Sequence, residues 1–363
     1  MSHSKPIVML LAFSSFAGCS SGMNGANGSN GYGINGGTNA GTGSAATSST
    51  GGASSGTGGT VAGSGGGTGV VPKARAYVGL FGDNAIGVVD LDAGKVMTTI
   101  PVPAPDGLVI RPDGAEVYVS SNNGNVVDVI DTATATLRTS IDVGTQPAGL
   151  SITADGKYVV VSVQGDGQAA IIDTATDTVL AKSPVGKAHN SGLSADGTLA
   201  FVASQVTTAP ALDVVDVPSG KAGTNIALDL APRAVCELSG KLYATLAGSG
   251  DIEVFDATSG QKVTSITTGG SPHDIRPSID GSLVLTVSQT AGELEMIGPK
   301  TAAVVAHVPT GKMPHWIGLS SDGALAYVTN EGDNDLVVVD LATHTVKQTI
   351  AVGNAPRKIA IGH

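Results

Sequence analysis

Short apolar runs alternate with polar loops along most of the chain. Near the C-terminal end, "AYVTNEGDNDLVVVD" at residues 326–340 places two apolar runs on either side of a loop of Asn, Asp, Glu and Gly. Two β-rich runs joined by such a loop predict a hairpin, here with strands at Tyr327–Asn330 and Leu336–Asp340. No stretch shows a convincing period of 3.6 residues, so we expect almost no helix.

The same pattern repeats along the chain with a nearly constant length. It is marked by turn glycines spaced 42, 41, 43, 41 and 42 residues apart: Gly114, Gly156, Gly197, Gly240, Gly281 and Gly323. Five of these glycines follow an Asp, whereas the fourth follows Ser239. Each turn leads into a β-rich run such as "KYVVVSV", a loop, an apolar run that usually ends in Asp such as "LVVVD", and two further runs such as "TVKQTIAVG" and "PHWIGLSSDG". The unit therefore contains four predicted strands.

Four antiparallel strands in a period of 40 to 45 residues are typical of one blade of a β-propeller. An additional copy, "ARAYVGLFGDNAIGVVD" at residues 74–90, brings the number of copies to seven. This first copy begins at its second strand, Ala76–Leu80, and the chain stops at a first strand, "PRKIAIGH". We therefore predict an all-β, seven-bladed β-propeller with four antiparallel strands per blade. Lys358–Ile361 would pair with the first blade, which closes the ring and removes an exposed edge.

The repeat resembles a known family. "AYVTN", the pattern PxxIxIxxDG and "VVVDLATHTV" resemble the YVTN-repeat β-propeller family, and the resemblance covers residues 74–363. It implies the fold strongly and the function weakly, because members of that family include surface proteins, binding modules and relatives of several enzyme groups.

The chain opens with the features of an export signal. "MSHSKPIVMLLAFSSFAGCS" has one positive charge at Lys5, an apolar run from Ile7 to Phe16 and small residues before Cys19. The apolar run is too short to span a membrane as a helix. "FAGC" resembles the bacterial lipobox, in which Leu usually stands where Phe16 is found, and this resemblance implies lipidation of Cys19. An ordinary cleaved signal is the alternative.

The next segment predicts a flexible tether. Residues 20–72 consist mainly of Gly, Ser, Thr, Ala and Asn, and they carry no charge. Such a composition cannot bury enough apolar surface to offset the entropy of ordering. A Gly/Ser chain of this length reaches roughly 40 Å. We thus expect three parts: a lipoprotein-type signal peptide at 1–19, a disordered tether at 20–72 and the propeller at 73–363, anchored to the outer membrane or cell surface, or else periplasmic or secreted.

Charge and cysteine content exclude several classes of partner and site. The chain has 19 Lys and Arg against 30 Asp and Glu, a formal net charge of −11, and it has no basic run. Binding to a nucleic-acid backbone is therefore disfavoured. Cys19 and Cys236 are the only cysteines, so no disulfide framework or cysteine-based metal site is available. We expect Cys236 to be an inert core residue, contact with a membrane only through the N-terminal lipid, and a monomeric protein.

One position of the repeat concentrates functional side chains. The residue after the Pro of the fourth run lies where the chain enters the inner strand, at one mouth of the central channel. Reading repeat by repeat gives Asp106, Ala148, His189, Arg233, His273, His315 and Arg357. Three imidazoles suit Zn²⁺ or Cu²⁺, which makes His189, His273 and His315 a candidate metal site. Alternatively the His and Arg side chains bind a small anionic ligand, or each His simply bonds a neighbouring loop.

Three functions remain open from the sequence. The leading one is a non-enzymatic, surface-anchored binding module that presents its loop face to a protein or small ligand without a cofactor. A second is a hydrolase or lyase similar to the propeller lactonases, with His273, His315 and Arg357 polarising a lactone or carboxylate. A third is a periplasmic metal-binding or redox accessory protein.

Other candidate residues lie outside the mouth. Glu293 and Glu295 alternate along one strand and predict an exposed acidic edge, and His307 and His344 have no evident partner.

Overall fold

The computed structural model describes residues 74–246 and 248–362. The predicted signal peptide with Cys19 and the predicted tether lie outside the described residues. Within them the only helical element is one 3₁₀ turn at Phe81–Asp83. None of these residues belongs to a helix that is long and apolar enough to cross a membrane.

The described residues form seven four-stranded antiparallel sheets, which we number as blades 1 to 7. Blade 1 contains β1, β2 and β3 (Arg75–Leu80, Ala85–Asp90 and Lys95–Pro101) and the last strand of the chain, β28 (Pro356–Gly362). Blade 2 contains β4 to β7: Pro105–Ile110, Glu116–Ser121, Val126–Asp131 and Thr136–Asp142. Blade 3 contains β8 to β11: Pro147–Ile152, Tyr158–Val163, Gln168–Asp173 and Thr178–Pro184.

The remaining blades have the same order of strands. Blade 4 contains β12 to β15: Ala188–Leu193, Leu199–Ser204, Ala211–Asp216 and Ile226–Ala227. Blade 5 contains β16 to β19: Pro232–Leu238, Lys241–Leu246, Asp251–Asp256 and Lys262–Thr267. Blade 6 contains β20 to β23: Pro272–Pro277, Val284–Ser288, Glu293–Gly298 and Ala303–Pro309. Blade 7 contains β24 to β27: Pro314–Leu319, Leu325–Asn330, Asp335–Asp340 and Thr345–Ala351.

The ring is closed as the sequence predicts. Strand β28 pairs antiparallel with β1, and Ile359 lies opposite Val78 in the register. The chain end therefore supplies the inner strand of blade 1, and β1 has a partner on both sides. Without β28, β1 would be the edge strand of this blade, and an exposed edge invites pairing with another chain.

The core lies between neighbouring blades. Seven apolar clusters occur, one for each contact between consecutive blades. The cluster between blades 7 and 1 joins Val78 and Ile359 of blade 1 to Trp316 and Leu336 of blade 7. Because each blade presents apolar side chains on both faces of its sheet, its inner strands are buried almost continuously, as expected for stacked sheets.

The turns have the chemistry that the repeat predicts. The glycines of the repeated turns all have a positive φ, for example 73° at Gly114 and 70° at Gly323, a conformation that glycine adopts without steric cost. The carboxylate of Asp322 accepts a hydrogen bond from the Ala324 amide at 3.0 Å. At the end of the third strand, the Asp340 carboxylate accepts one from the Thr343 amide at 2.9 Å. These Asp residues thus fix the turn geometry.

Candidate functional site

Each inner strand carries one extra residue directly after its first position. In blade 2, Pro105 pairs with Ser121 but Leu108 pairs with Val119, so three steps on one strand match two on the other. The same shift occurs in the other six blades. A β-bulge of this kind bends the strand and redirects its side chains. As a result two consecutive residues, rather than one, lie close to the channel at this level.

A cavity of about 460 Å³ opens at this mouth. Its lining includes all seven residues predicted from the repeat: Asp106, Ala148, His189, Arg233, His273, His315 and Arg357. The bulges add the following residue in three blades, Gly149, Asn190 and Lys358. Residues that directly follow the second strands complete the rim, among them Asn122, Gln164, Gln289 and Glu331.

The three histidines converge. The ring centroids of His273 and His315 lie 4.1 Å apart, and those of His189 and His273 lie 6.2 Å apart. Burial lowers the pKa of His189 to about 4, and it lowers the pKa values of His273 and His315 well below their usual range, with nearby cations and imidazoles adding to the effect. All three rings are therefore neutral near pH 7, and each offers one N–H donor and one nitrogen lone pair.

Two groups lie within hydrogen-bond distance of His189 Nδ1. The Asn190 amide nitrogen lies 2.7 Å from His189 Nδ1 and 3.0 Å from the Arg233 carbonyl oxygen. His189 Nδ1 also lies 3.1 Å from the same carbonyl oxygen, so it accepts from the amide in one tautomer and donates to the carbonyl in the other. The other ring nitrogen, Nε2, is a donor in the first tautomer and an acceptor in the second.

Several buried nitrogens of this site have no hydrogen-bond partner. His273 Nδ1, His315 Nδ1 and Arg233 Nε are all buried without one. Most buried polar atoms in proteins are paired, so a group of unpaired atoms around one cavity points to a ligand or to ordered water. Arg233 also makes no ion pair with any described residue, and burial lowers its pKa.

Arg357, another cation of the mouth, has several partners. Arg357 Nε lies 3.1 Å from Glu331 Oε1, and a terminal nitrogen of Arg357 lies 3.8 Å from Asp106 Oδ1. The Arg357 guanidinium also stacks 3.5 Å above the ring of Phe81. The position of this arginine is therefore fixed, whereas Arg233 retains unused donors.

Lys358 lies in the centre of the channel. Its ammonium donates to Asn190 Oδ1 and lies 3.0 Å from the centroid of the Trp316 ring. Burial lowers the pKa of Lys358 to about 7, although the carboxylates of Asp274 and Asp106 act in the opposite direction. Asn190 can approach so closely because residue 149 is a glycine: a side chain there would collide with the Asn190 oxygen and the His189 carbonyl.

A second cavity, of about 300 Å³, lies further along the inner strands and shares Asn190 with the mouth.

The nitrogens of the three imidazoles do not lie close enough together in this structure to bind one metal ion. Within residues 74–246 and 248–362, one set of three acidic or histidine side chains has ligand atoms within 4.8 Å of one another, and it is Glu293, Glu295 and His307. The prediction of a metal at His189, His273 and His315 thus requires a shift of at least one ring.

The residues outside the mouth correct two expectations. Glu295 is not part of an exposed edge: it is completely buried, and its carboxylate accepts a 2.7 Å hydrogen bond from the amide of Gly269 in the connection between blades 5 and 6. His307 does have a partner, since its Nδ1 lies 3.0 Å from Glu293 Oε1 on the adjacent strand. Cys236 is a buried inner-strand residue as predicted, and burial raises the pKa of its thiol. His344 lies in a turn.

Sequence reasoning missed Lys358, Asn190 and the rim residues. Alternation along a strand predicts that the residue after a mouth position points away from it, and the bulge invalidates this rule. The rim residues share a visible signal, because each directly follows the second strand of its blade: Phe81, Asn122, Gln164, Gln289 and Glu331.

Comparisons with known proteins agree with the fold. The family described as YNCE-like beta-propeller matches residues 240–362. No curated protein matches the chain. Among solved structures, hydrazine synthase of Kuenenia stuttgartiensis is 19% identical with a TM-score of 0.62, covering 70% of this chain and 88% of its own.

Two further structures give the same result. A functionally unknown protein from Desulfotomaculum acetoxidans DSM 771 is 14% identical with a TM-score of 0.70, covering 80% of this chain and 99% of its own. Apo AztD from Citrobacter koseri is 13% identical with a TM-score of 0.59, covering 79% and 97%. At such identities the likeness concerns the fold alone. The chain is a seven-bladed β-propeller protein.

Proposed function

We propose that this protein is an exported, non-enzymatic binding protein whose channel mouth holds a small anionic molecule through a carboxylate or phosphate group. The observation that carries the proposal is Arg233, a partly buried cation at the cavity whose Nε has no hydrogen-bond partner and which has no ion-pair partner among the described residues. An unpaired guanidinium loses hydration on burial, and an anion compensates for this loss with two parallel hydrogen bonds.

Other groups of the mouth fit the same ligand. Lys358 adds a second cation, and the neutral imidazole of His189 donates an N–H in the tautomer that carries the proton on Nε2. The cavity volume of about 460 Å³ suits a small organic anion. Rim amides such as Asn122 and Gln289 both donate and accept, so they suit hydroxyl or carbonyl groups on the rest of the molecule. Export and attachment through Cys19 remain part of the proposal on the basis of the sequence alone.

A titration of the full chain with citrate and with inorganic phosphate, at constant ionic strength and pH 6.5, tests the proposal. We expect one saturable site for at least one of these anions. Arg233→Gln is expected to weaken it about tenfold or more, because hydrogen bonds to charged groups contribute about 1.5 to 3 kcal/mol. Arg138→Gln is the matched control, since Arg138 is a surface residue paired with Glu116 and Asp177. Absence of saturable binding by both anions, or equal binding by the Arg233 variant, would contradict the proposal.

A second candidate function is binding of Zn²⁺ or Cu²⁺ at the same mouth. It is favoured by the unpartnered, neutral Nδ1 atoms of His273 and His315, whose rings lie 4.1 Å apart. Neutral imidazole is a good ligand for both metals. Metal titration of the full chain, beside a variant with His189, His273 and His315 changed to Ala, separates this candidate from anion binding. The lactonase-like alternative requires turnover of a lactone by the wild-type chain that is lost in the same variant.

A further inference from the structure

The third position of each third strand is buried between blades. Four of these positions carry an acidic residue: Asp128, Asp213, Glu253 and Glu295. A buried carboxylate is costly unless it is hydrogen-bonded or neutralised by a countercharge. We therefore compare the groups that stabilise the buried carboxylate in each of the four blades.

Three of the four carboxylates have evident partners. Asp128 accepts a hydrogen bond from the Ser140 hydroxyl. Asp213 accepts one from the Gly186 amide at 2.6 Å. Glu253 in blade 5 forms an ion pair with the Lys262 ammonium on the neighbouring strand. Blade 5 thus shows that a fully buried glutamate at this position is paired with a cation.

Glu295 in blade 6 lacks this cation. It is completely buried, its Oε1 accepts from the Gly269 amide at 2.7 Å, and its Oε2 is buried with no hydrogen-bond partner. No Lys or Arg forms an ion pair with it among the described residues. The carboxylate has one satisfied oxygen and one that faces no donor.

Two further ligand groups surround it. Glu293 lies two residues earlier on the same strand, and His307 lies directly opposite Glu295 on the outer strand. A methyl group at Gly269 would lie 3.2 Å from Glu295 Oε1 and 3.3 Å from Glu293 Oε1, so the two carboxylates flank the same point of the connection between blades 5 and 6. His307 Nδ1 lies 3.0 Å from Glu293 Oε1. One ligand atom from each of the three residues lies within 4.8 Å of the other two.

This geometry fits a small divalent cation. Oxygen and nitrogen ligands about 2.0 to 2.1 Å from a tetrahedral Zn²⁺ lie about 3.3 Å from one another, close to the separation between His307 and Glu293. A set of two carboxylates and one imidazole suits Zn²⁺. His307 is half exposed, so a solvent molecule can complete the coordination.

We propose that Glu293, Glu295 and His307 form a Zn²⁺-type divalent-cation site at the edge of blade 6, separate from the channel mouth. The metal supplies the countercharge that Lys262 supplies in blade 5. It binds across β22 and β23, next to the Gly269 backbone in the connection between blades 5 and 6.

Zn²⁺ titration of the full chain by calorimetry tests this site. We expect Glu295→Gln to remove one equivalent of bound Zn²⁺ and His307→Gln to weaken the same equivalent about tenfold or more. Glu253→Gln is the matched control, because that carboxylate already has Lys262; it is expected to leave the Zn²⁺ stoichiometry unchanged. Any Zn²⁺ bound at the channel mouth stays in all of these variants, so the two sites are distinguishable.

Thermal melting gives a second readout, and the comparison in EDTA does not depend on the strength of metal binding. In excess EDTA we expect Glu295→Gln to melt at or above the wild-type temperature, because it removes an uncompensated buried charge, whereas Glu253→Gln melts lower because it breaks an ion pair. Zn²⁺ is expected to raise the melting temperature of the wild type more than that of Glu295→Gln. Equal Zn²⁺ stoichiometry in wild type and Glu295→Gln, no Zn²⁺ binding at all, or a strongly lowered melting temperature of Glu295→Gln in EDTA would overturn the proposal.

Discussion

The hydroxyl of Thr329 in blade 7 donates a 2.6 Å hydrogen bond to the carbonyl oxygen of Arg357, the mouth residue of blade 1. The same hydroxyl accepts a hydrogen bond from the Trp316 amide at the bulge of its own blade, at 3.1 Å. Thr245 makes the corresponding pair of contacts with Ala234 and with the carbonyl of His273. A second-strand hydroxyl therefore links the bulge of one blade to the mouth residue of the next, and these links position the side chains around the cavity.

Replacing this hydroxyl should weaken both the fold and the site. Thr329→Val keeps the shape of the side chain but leaves the Trp316 amide and the Arg357 carbonyl unpaired. We expect a loss of about 1 to 3 kcal/mol in the free energy of unfolding, measured by chemical denaturation. Thr329→Ser retains the hydroxyl and should lose clearly less. Equal stability of the Val variant and the wild type would show that the link is not structural.

The neutral histidines predict acid sensitivity. The folded-state pKa of His189 is lowered to about 4 from an ordinary value of 6.5. Its contribution to stability is therefore complete above pH 6.5 and is lost as the pH falls towards 4. The linkage amounts to on the order of 3 kcal/mol for His189, and His273 and His315 act in the same direction.

Denaturation curves between pH 7.5 and 4 check this prediction. His189→Gln should reduce the pH dependence of the free energy of unfolding, whereas His344→Asn, at an exposed turn, should leave it unchanged. A slope in that window that is the same in wild type and His189→Gln would mean that His189 is not buried in its neutral form.

The buried Lys358 predicts that stability also changes at alkaline pH. Its folded-state pKa is lowered to about 7 from 10.5, so the unfolded chain binds more protons between these values and stability rises with pH from about 7 to 10.5. Between pH 7 and 10 the gain is on the order of 4 kcal/mol. Lys358→Met removes the titrating group, so its free energy of unfolding should not show this rise. If the free energy of unfolding of the wild type does not rise relative to that of Lys358→Met between pH 7 and 10, the pKa of Lys358 is not lowered.

Ring closure depends on the last strand. Ile359 is buried in the cluster between blades 7 and 1, opposite Val78. We expect Ile359→Ala to lower the free energy of unfolding by about 2 to 5 kcal/mol, the usual cost of truncating a buried aliphatic side chain. Ile279→Ala is the matched control, because Ile279 is 62% exposed and should cost almost nothing. Equal effects of the two substitutions would mean that β28 does not contribute to the core.

The sequence predicts the fold well because each blade repeats the same local chemistry. The turn glycines, the strand-ending Asp residues and the missing first strand of the first copy all follow from local patterns, and the structure confirms them. The seven mouth residues could also be predicted, since the Pro before most of them marks the entrance of the inner strand.

The rest of the site depends on features that no local pattern contains. The bulges place Asn190 and Lys358 at the mouth against the rule of alternation. Burial of Glu295 depends on the connection between blades 5 and 6, where Gly269 leaves room for the carboxylate. Whether His273 and His315 touch is likewise decided by the curvature of the whole ring.

The most direct test of the central claim is an NMR measurement of the pKa of the Lys358 ammonium, without and with saturating citrate or phosphate. If an anion binds at the channel mouth beside Arg233, it stabilises the charged ammonium, and the account predicts that the pKa rises from about 7 by about one unit or more. The same rise should be absent in Arg233→Gln at equal anion concentration. A pKa of Lys358 that stays the same when either anion is added to the wild-type chain would contradict the proposed function.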